Sequence, residues 1–458
     1  MAPSRQGEKL FRLIEFERTQ HLFNVVKNRE RYWPCHSLLA ENQISSRLSV
    51  SANIGVGQMR KSKNLPQAPT HLGVVIFAIF LIAPHIHAST ITASSTSRSD
   101  VAAAIASAAD GDTVQIPAGN STWSSTLTIT KAITLKGAGT NNTFIRYHGN
   151  ILDLSPANDL PARVSGIYFD LFPFQNGNGG DISAIRVDST ITNLRIDHCY
   201  FRGGKRTLFF SAKSYGVTDH CTFLDSNLDA SPTMAGSDFG NTSWREPIQP
   251  GTTKTMVIED CQFVRDDAMT DDPNEVIYGW IGARCCFRYN TVLQIATQRP
   301  LAAIDAHGYN SGWGRGTRFY EIYNNTFHCA YTYRFCALRG GTHIFYNNKF
   351  IEDQSSSAAV MALYNEGLMH NWPATTQDNI TGSFFWGNTY NGSPIGAEVD
   401  PSSTGAVVPN RDYFNRAIQS GDPWYPYSPL VYPHPRVTAE DTPAKVAAPK
   451  NLRFAAGN

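Results

Sequence analysis

Between Asp305 and Arg318 the chain places a carboxylate, an imidazole, two guanidiniums and two aromatic rings within 14 positions: Asp305, His307, Tyr309, Trp313, Arg315 and Arg318. Gly308, Gly312, Gly314 and Gly316 separate them and allow close backbone approach. An imidazole takes up or delivers a proton near neutral pH. A guanidinium pairs two-point with a carboxylate, and aromatic rings are common walls of ligand sites. The set suits proton transfer on an acidic sugar. It equally suits a loop pinned by Asp305 and His307, because clustered polar groups are only probabilistic evidence of a site.

A second group is acidic. Asp266, Asp267, Asp271, Asp272 and Glu275 put five carboxylates in ten positions. Such a run faces water, binds a hard cation such as Ca²⁺, or shares a proton in acid/base work. The order of ligands and glycine that marks an EF-hand is missing. Asp266, Asp267, Asp271 and Asp272 are therefore the candidate metal ligands, with Ca²⁺ the only cofactor the residues suggest.

The elements that must position these groups are legible in a short repeated phrase, x-[Cys/Asn]-x-[aromatic/apolar]. Its second position falls at Cys199, Cys221, Cys261, Asn290, Asn325, Asn348 and Asn388, in steps of 22, 40, 29, 35, 23 and 40. The short steps are single coils of a β-solenoid, and the longer ones are coils with inserted loops. Asn at one corner can stack coil on coil at the ~4.8 Å strand spacing, its amides satisfying one another. Cys fills the same slot as a small apolar group. The His and acidic residues just before this slot, as in Asp197-His198, Asp219-His220 and Glu259-Asp260, read as corner residues repeated by the fold.

Counting back from these corners aligns Leu208 to Ala212, Val276 to Ile281, Ala302 to His307, Phe335 to Arg339 and Val360 to Tyr364 as neighbouring strands. Alternation along them brings Tyr278 or Trp280, Asp305, His307, Arg339 and Glu366 together. A slip of one residue would reverse every facing. The longest insertions, 226 to 253, 265 to 275 and 306 to 317, fall in successive coils and mark the middle of the solenoid as the functional region.

Upstream, Asp100 to Ala109 reads as a short helix with Ser99 at its N-cap, placed to cover the open end of the solenoid. Strands follow at Thr113 to Ile116, Leu127 to Thr130 and Ile133 to Lys136. Residues 59–88 read as a secretory signal: Met59-Arg60-Lys61-Ser62-Lys63, the apolar run Leu72 to Ala83, and Ile86-His87-Ala88 before Ser89. Residues 1–58 read as an over-extended start or a tail. The alternative is a cytoplasmic tail on a membrane anchor. Without residues 1–88 the chain keeps 28 of its 39 Lys+Arg and 33 of its 38 Asp+Glu, a net −5. A slightly acidic exported protein is a poor nucleic-acid binder, and no stable membrane span remains after processing. Cys329 and Cys336 bracket a turn and could form a local disulfide in an oxidising compartment. Residues 396–435, rich in Pro, Tyr and Trp, read as packing along the outside or capping the C-terminal end, and 436–458 as a flexible tail or linker.

The opening "DVAAAIASAADGDTVQIPAG", then "ITLKGAG", "IDHCYF", "TDHCTF" and "IYNNTF", resembles the pectin lyase-like superfamily over roughly residues 98 to 395. The resemblance implies an all-β, single-stranded, right-handed parallel β-helix at residues 89–395, with long inter-coil loops, acting on a polysaccharide; the expected state is a monomer. It does not select the activity, because this fold carries many. Three readings follow. In a polysaccharide lyase, His307, Asp305, Arg318 and Arg339 are catalytic, and Arg315, Tyr309, Trp313, Tyr278, Trp280 and Glu366 bind substrate. In a hydrolase, Asp266-Asp267 and Ala306-His307-Gly308 partly resemble polygalacturonase motifs, although their separation is long and other elements are missing. The third reading is a glycan-binding or adhesive solenoid without catalysis.

Overall fold

The computed structural model describes residues 88–171, 182–204, 206–226, 228–229, 241–265, 275–294, 302–311, 314–330, 332, 334–354, 359–372 and 378–437. All belong to one compact unit.

Each coil uses three short strands. One example runs from Arg284–Arg288 in a first sheet, through the Asn290 corner, to Thr291–Gln294 in a third sheet and Ala302–Ala306 in a second. It then returns to the first sheet at Phe319–Tyr323. Among the described residues the first, second and third sheets hold 12, 10 and 11 strands. Neighbouring strands pair in parallel except Asn388–Tyr390 with Ser393–Ile395. The chain is a parallel β-helix.

The corner explains the repeated phrase. Tyr200, Thr222, Gln262, Thr291, Thr326, Lys349 and Thr389 pair in register, so the Cys or Asn before each occupies one corner. The residue before that slot takes a left-handed conformation, with φ of 50° at His198, 52° at His220, 53° at Asp260 and 56° at Asn324. Short polar side chains tolerate this region best. The Asn325 amide donates to Asn348 Oδ1 at 3.0 Å, and Asn348 donates to Asn388 Oδ1 at 2.9 Å. Cys261 N donates to Asn290 Oδ1 at 2.9 Å, where the amide run meets the thiols. Two residues after the slot, Phe201, Phe223 and Phe263 stack in the core with centroids 4.9 and 4.5 Å apart.

The N-terminal helix, α1, spans Arg98–Ser107, two residues earlier than the sequence suggests. Its N-cap is Ser97 rather than Ser99, because the Ser97 hydroxyl accepts from Asp100 N at 3.2 Å. Val101, Ala104 and Ile105 bury one face against the first coil.

The sheets continue beyond 395, with Glu398–Val399 joining the second and Tyr413–Phe414 the first. Ile418, Trp424, Tyr427 and Leu430 then cover the outer face of the first sheet over Phe319, Ile344 and Tyr346.

Cys329 and Cys336 are free thiols rather than the local disulfide that their spacing allowed. Cys329 ends a third-sheet strand and Cys336 opens a second-sheet strand, each fully buried in the central core. The corner between them directs each into its own apolar slot, and burial pushes both thiols well up in pKa.

Candidate functional site

The site grows from alternation on the second sheet. Ile277, Ile304, Cys336 and Met361 lie in register and point into the core, as do Ala306, Leu338 and Leu363 one step further. The residues between and after them face outward. His307 N donates to Gly279 O at 3.0 Å and Arg339 N to Ala306 O at 2.7 Å, carrying the register one residue past the strands. Trp280, His307 and Arg339 are therefore outward neighbours on successive coils. Glu366 begins the short helix Glu366–Met369, capped by Asn365, whose side chain accepts from Leu368 N at 2.8 Å.

Four of the candidate residues meet there. Arg339 donates from Nε to Asp305 Oδ1 at 2.9 Å, from Nη2 to Asp305 Oδ2, and from Nη1 to Glu366 Oε1 at 3.1 Å. His307 lies between the same carboxylates, with Nδ1 3.3 Å from Glu366 Oε1 and Nε2 3.4 Å from Asp305 Oδ2. Arg339 Nη2 also approaches His307 Nε2 at 3.0 Å. Because arginine only donates, neutral His307 carries its proton on Nδ1, towards Glu366. Trp280 stacks on His307 with centroids 4.9 Å apart. Tyr278 packs edge-on to Trp280, and its hydroxyl accepts from Arg206 Nε at 2.8 Å.

Asp305 and Glu366 are 3% and 2% exposed, so their charges depend on these partners. Burial pushes Glu366 up, but Arg339 and His307 overcome it and hold the carboxyl at about 2. Burial and Arg339 push the His307 imidazole down, while Asp305 and Glu366 outweigh them and leave its pKa raised. Arg339 itself is raised by the two carboxylates against its burial.

The segment after His307 is pressed against this cluster. Gly308 N donates to Glu366 Oε2 at 2.7 Å, and a Cβ at Gly308 would stand 2.3 Å from Arg339 O. At Gly316 a Cβ would stand 2.5 Å from Gly308 C, so the returning limb also requires glycine. Asn310 and Gly314 exchange backbone hydrogen bonds of 3.0 and 2.7 Å across the tip. Tyr309 is partly exposed beside the tip.

Arg315 and Arg318, grouped with His307 in the lyase reading, find their partners outside the His307 cluster. Arg315 chelates Asp378 from Nε and Nη2, and donates to Asn241 Oδ1 at 2.8 Å. Arg318 lies over Trp244, its guanidinium carbon 4.8 Å from the ring centroid. The returning limb turns both side chains towards the helix at Asn241–Arg245. Asp378, 63 residues beyond Arg315, and Trp244 were not foreseen, since neither shares the coil spacing. Trp372, stacked on His370 at 4.4 Å just after the Glu366 helix, was missed for the same reason.

Trp313, Asp266, Asp267, Asp271 and Asp272 lie outside the described residues. Among the described residues no three His, Cys, Asp or Glu side chains gather as a metal would require. No described helix is long and apolar enough to cross a membrane.

No protein family profile and no curated protein matches the chain. Among solved structures, it is similar to a PL6 family alginate lyase, AlyGC, at 14% identity and a TM-score of 0.34, covering 68% of this chain and 37% of that one. A pectin methylesterase variant in complex with a hexasaccharide gives 14% and 0.31, covering 69% and 94%. The catalytic unit of a thermostable GH87 α-1,3-glucanase from Streptomyces thermodiastaticus gives 16% and 0.28, covering 69% and 66%. The chain thus spans little more than a third of the alginate lyase's length. Its own three parallel sheets, not these distant likenesses, establish it as a parallel β-helix, the fold that its sequence resemblance implied.

Proposed function

We propose that this chain is an exported carbohydrate-active enzyme that cleaves a polysaccharide along the outer face of the second sheet, with His307 transferring the proton. The observation that carries the reading is His307 held between Asp305 and Glu366 while Arg339 bridges the same carboxylates. An imidazole accepts a proton more readily where the resulting imidazolium is stabilised, and two adjacent carboxylates do this. Trp280 beside it offers a flat apolar surface suited to a sugar ring.

On a uronate-containing chain the reaction is β-elimination. His307 takes the C5 proton, the electron pair of the C5–H bond forms the C4–C5 double bond, the C4–O bond breaks, and the protonated His307 passes its proton to the leaving oxygen. Arg339 orients His307 and the carboxylates, its donors being largely engaged by them. That engagement favours hydrolysis as the second reading: a protonated His307 would serve as acid and ionised Glu366 as the base activating water. Ca²⁺ enters either scheme only through Asp266, Asp267, Asp271 and Asp272. Activity unchanged by a chelator would remove it.

The test is the full-length protein against a panel of uronate-containing and neutral polysaccharides, read by new reducing ends and by ultraviolet absorbance of an unsaturated product. Both signals together indicate elimination, and reducing ends alone indicate hydrolysis. His307→Ala is expected to lower the rate by about 10²- to 10⁴-fold. Absence of reducing ends on every substrate, or full activity in His307→Ala, overturns the proposal.

A further inference from the structure

We propose that Arg318, flanked by Arg315 and Arg284, binds a small oxyanion, a carboxylate or a sulfate group, at a site distinct from the His307 cluster. The three arginines converge because the limb after Gly314 returns beside the Asn241–Arg245 helix and the strand Arg284–Arg288. Arg318 N donates to Ala283 O at 2.9 Å, which places it beside the residue that precedes Arg284.

Their donors are spent very differently. Arg284 gives four hydrogen bonds, to Ser243 Oγ, Ser243 O, Glu246 O and Pro247 O, at 2.6 to 3.0 Å. All four acceptors are neutral. Arg315 is neutralised by Asp378. The Arg318 side chain makes no hydrogen bond to the described residues, and its Nε is buried without a partner. It lies over the Trp244 face, which Arg315 also approaches, at 4.5 Å.

The charges do not balance. Asp378 pairs with Arg315 and Glu246 with Lys213 at 2.6 Å, and among the described residues no carboxylate forms an ion pair with Arg284 or Arg318. Among the described residues an excess of two positive charges remains around one half-buried arginine. Burial, Arg284 and Arg315 push the Arg318 pKa down to about 10, so it stays charged at neutral pH under repulsion that an anion would relieve. Unsatisfied buried donors in a native fold call for an explanation, and an absent ion is a standard one. A planar fork with free donors matches the paired oxygens of a carboxylate or sulfate, and Trp244 gives the site an apolar wall.

The anion could be a substituent on a glycan or a free oxyanion, and two ligands separate these sources. The full-length protein is titrated calorimetrically with sodium sulfate and with methyl glucuronide, at an ionic strength held constant with chloride. Saturable binding of either is expected, weakened about 10- to 100-fold in Arg318→Gln, the range for losing hydrogen bonds to a charged group. Arg318→Lys keeps the charge without the fork. It is expected to fall between the two, and it carries the test if Arg318→Gln does not fold, as judged by its unfolding curve in chloride. Tighter binding of the glucuronide identifies a sugar acid, and tighter binding of sulfate identifies a free oxyanion. No saturable binding of either ligand, or undiminished affinity in the folded variants, overturns the site. Neither result depends on whether His307 is catalytic.

Discussion

At His307 burial and the Arg339 charge oppose two carboxylates, and the carboxylates prevail. If the neutral imidazole is the working base, the rate rises with pH through its raised pKa, and the acid limb lies above the ordinary value of about 6.5. Glu366→Gln removes one of the two raising charges. The acid limb is then expected to move to lower pH, measured as kcat/KM against pH on whichever polysaccharide is cleaved. An unmoved limb would assign it to another group. The same shifts have a stability counterpart. The His307 contribution is fully present below the unfolded imidazole pKa and is lost as pH rises through the raised folded value. Glu366, held at about 2, contributes above its unfolded pKa of about 4.3 and loses that contribution as pH falls towards 2.

The corner that joins the first and third sheets is the element that keeps the coils in step. Asn325 donates to Phe287 O at 2.8 Å, Tyr323 O at 3.0 Å and Asn348 Oδ1, and accepts from Asn290 N at 2.9 Å. Asn325→Ala leaves buried backbone groups on two coils unpaired, at a cost of about 1–3 kcal/mol for each unsatisfied group. Asn325→Cys is expected to cost less, because Cys261 fills the equivalent slot and its sulfur accepts from Cys221 N at 3.5 Å. Thermal unfolding of the two variants decides the order, and equal losses would mean that the slot acts through volume alone. The phrase was visible in the sequence because every coil repeats it. The left-handed residue before it explains why His, Asp and Asn recur there without implying a metal or catalytic stack.

On the scale of the whole molecule, the C-terminal strap is locked by charges buried under it. Arg288 pairs with Glu259 at 2.6 Å, both side chains fully buried, and donates to Leu430 O at 2.6 Å and Val431 O at 3.0 Å. His434 N donates to Glu259 Oε1 at 2.8 Å. Arg288→Met leaves Glu259 without its counter-charge and is expected to destabilise by about 3–5 kcal/mol. Adding Glu259→Gln should recover part of that loss, but not the two strap carbonyl bonds. Thermal unfolding and proteolysis within 418–437 measure both, and a double variant as unstable as the single one would show that the strap bonds dominate. At the N-terminus, the signal-like order at 59–88 leads us to expect exported protein to begin at or near Ser89. N-terminal sequencing of exported material checks this, and an intact Met1 on active protein would overturn it.

Local periodicity and alternation were enough, from sequence alone, to determine the parallel solenoid, its Cys and Asn corner, and the row holding Asp305, His307 and Arg339. These properties repeat every coil and depend only on strand period and corner chemistry. Tertiary structure decided what the repeat does not encode. The limb after Gly314 turns Arg315 to Asp378 and Arg318 to Trp244, pairings that the coil spacing does not contain. The corner between two sheets sends Cys329 and Cys336 into separate apolar slots. The strap over the first sheet pairs residues such as Glu259 and His434, 175 positions apart. Such contacts belong to inserted loops and returning segments, whose paths are set by long-range packing and charge pairing rather than by a pattern along the chain.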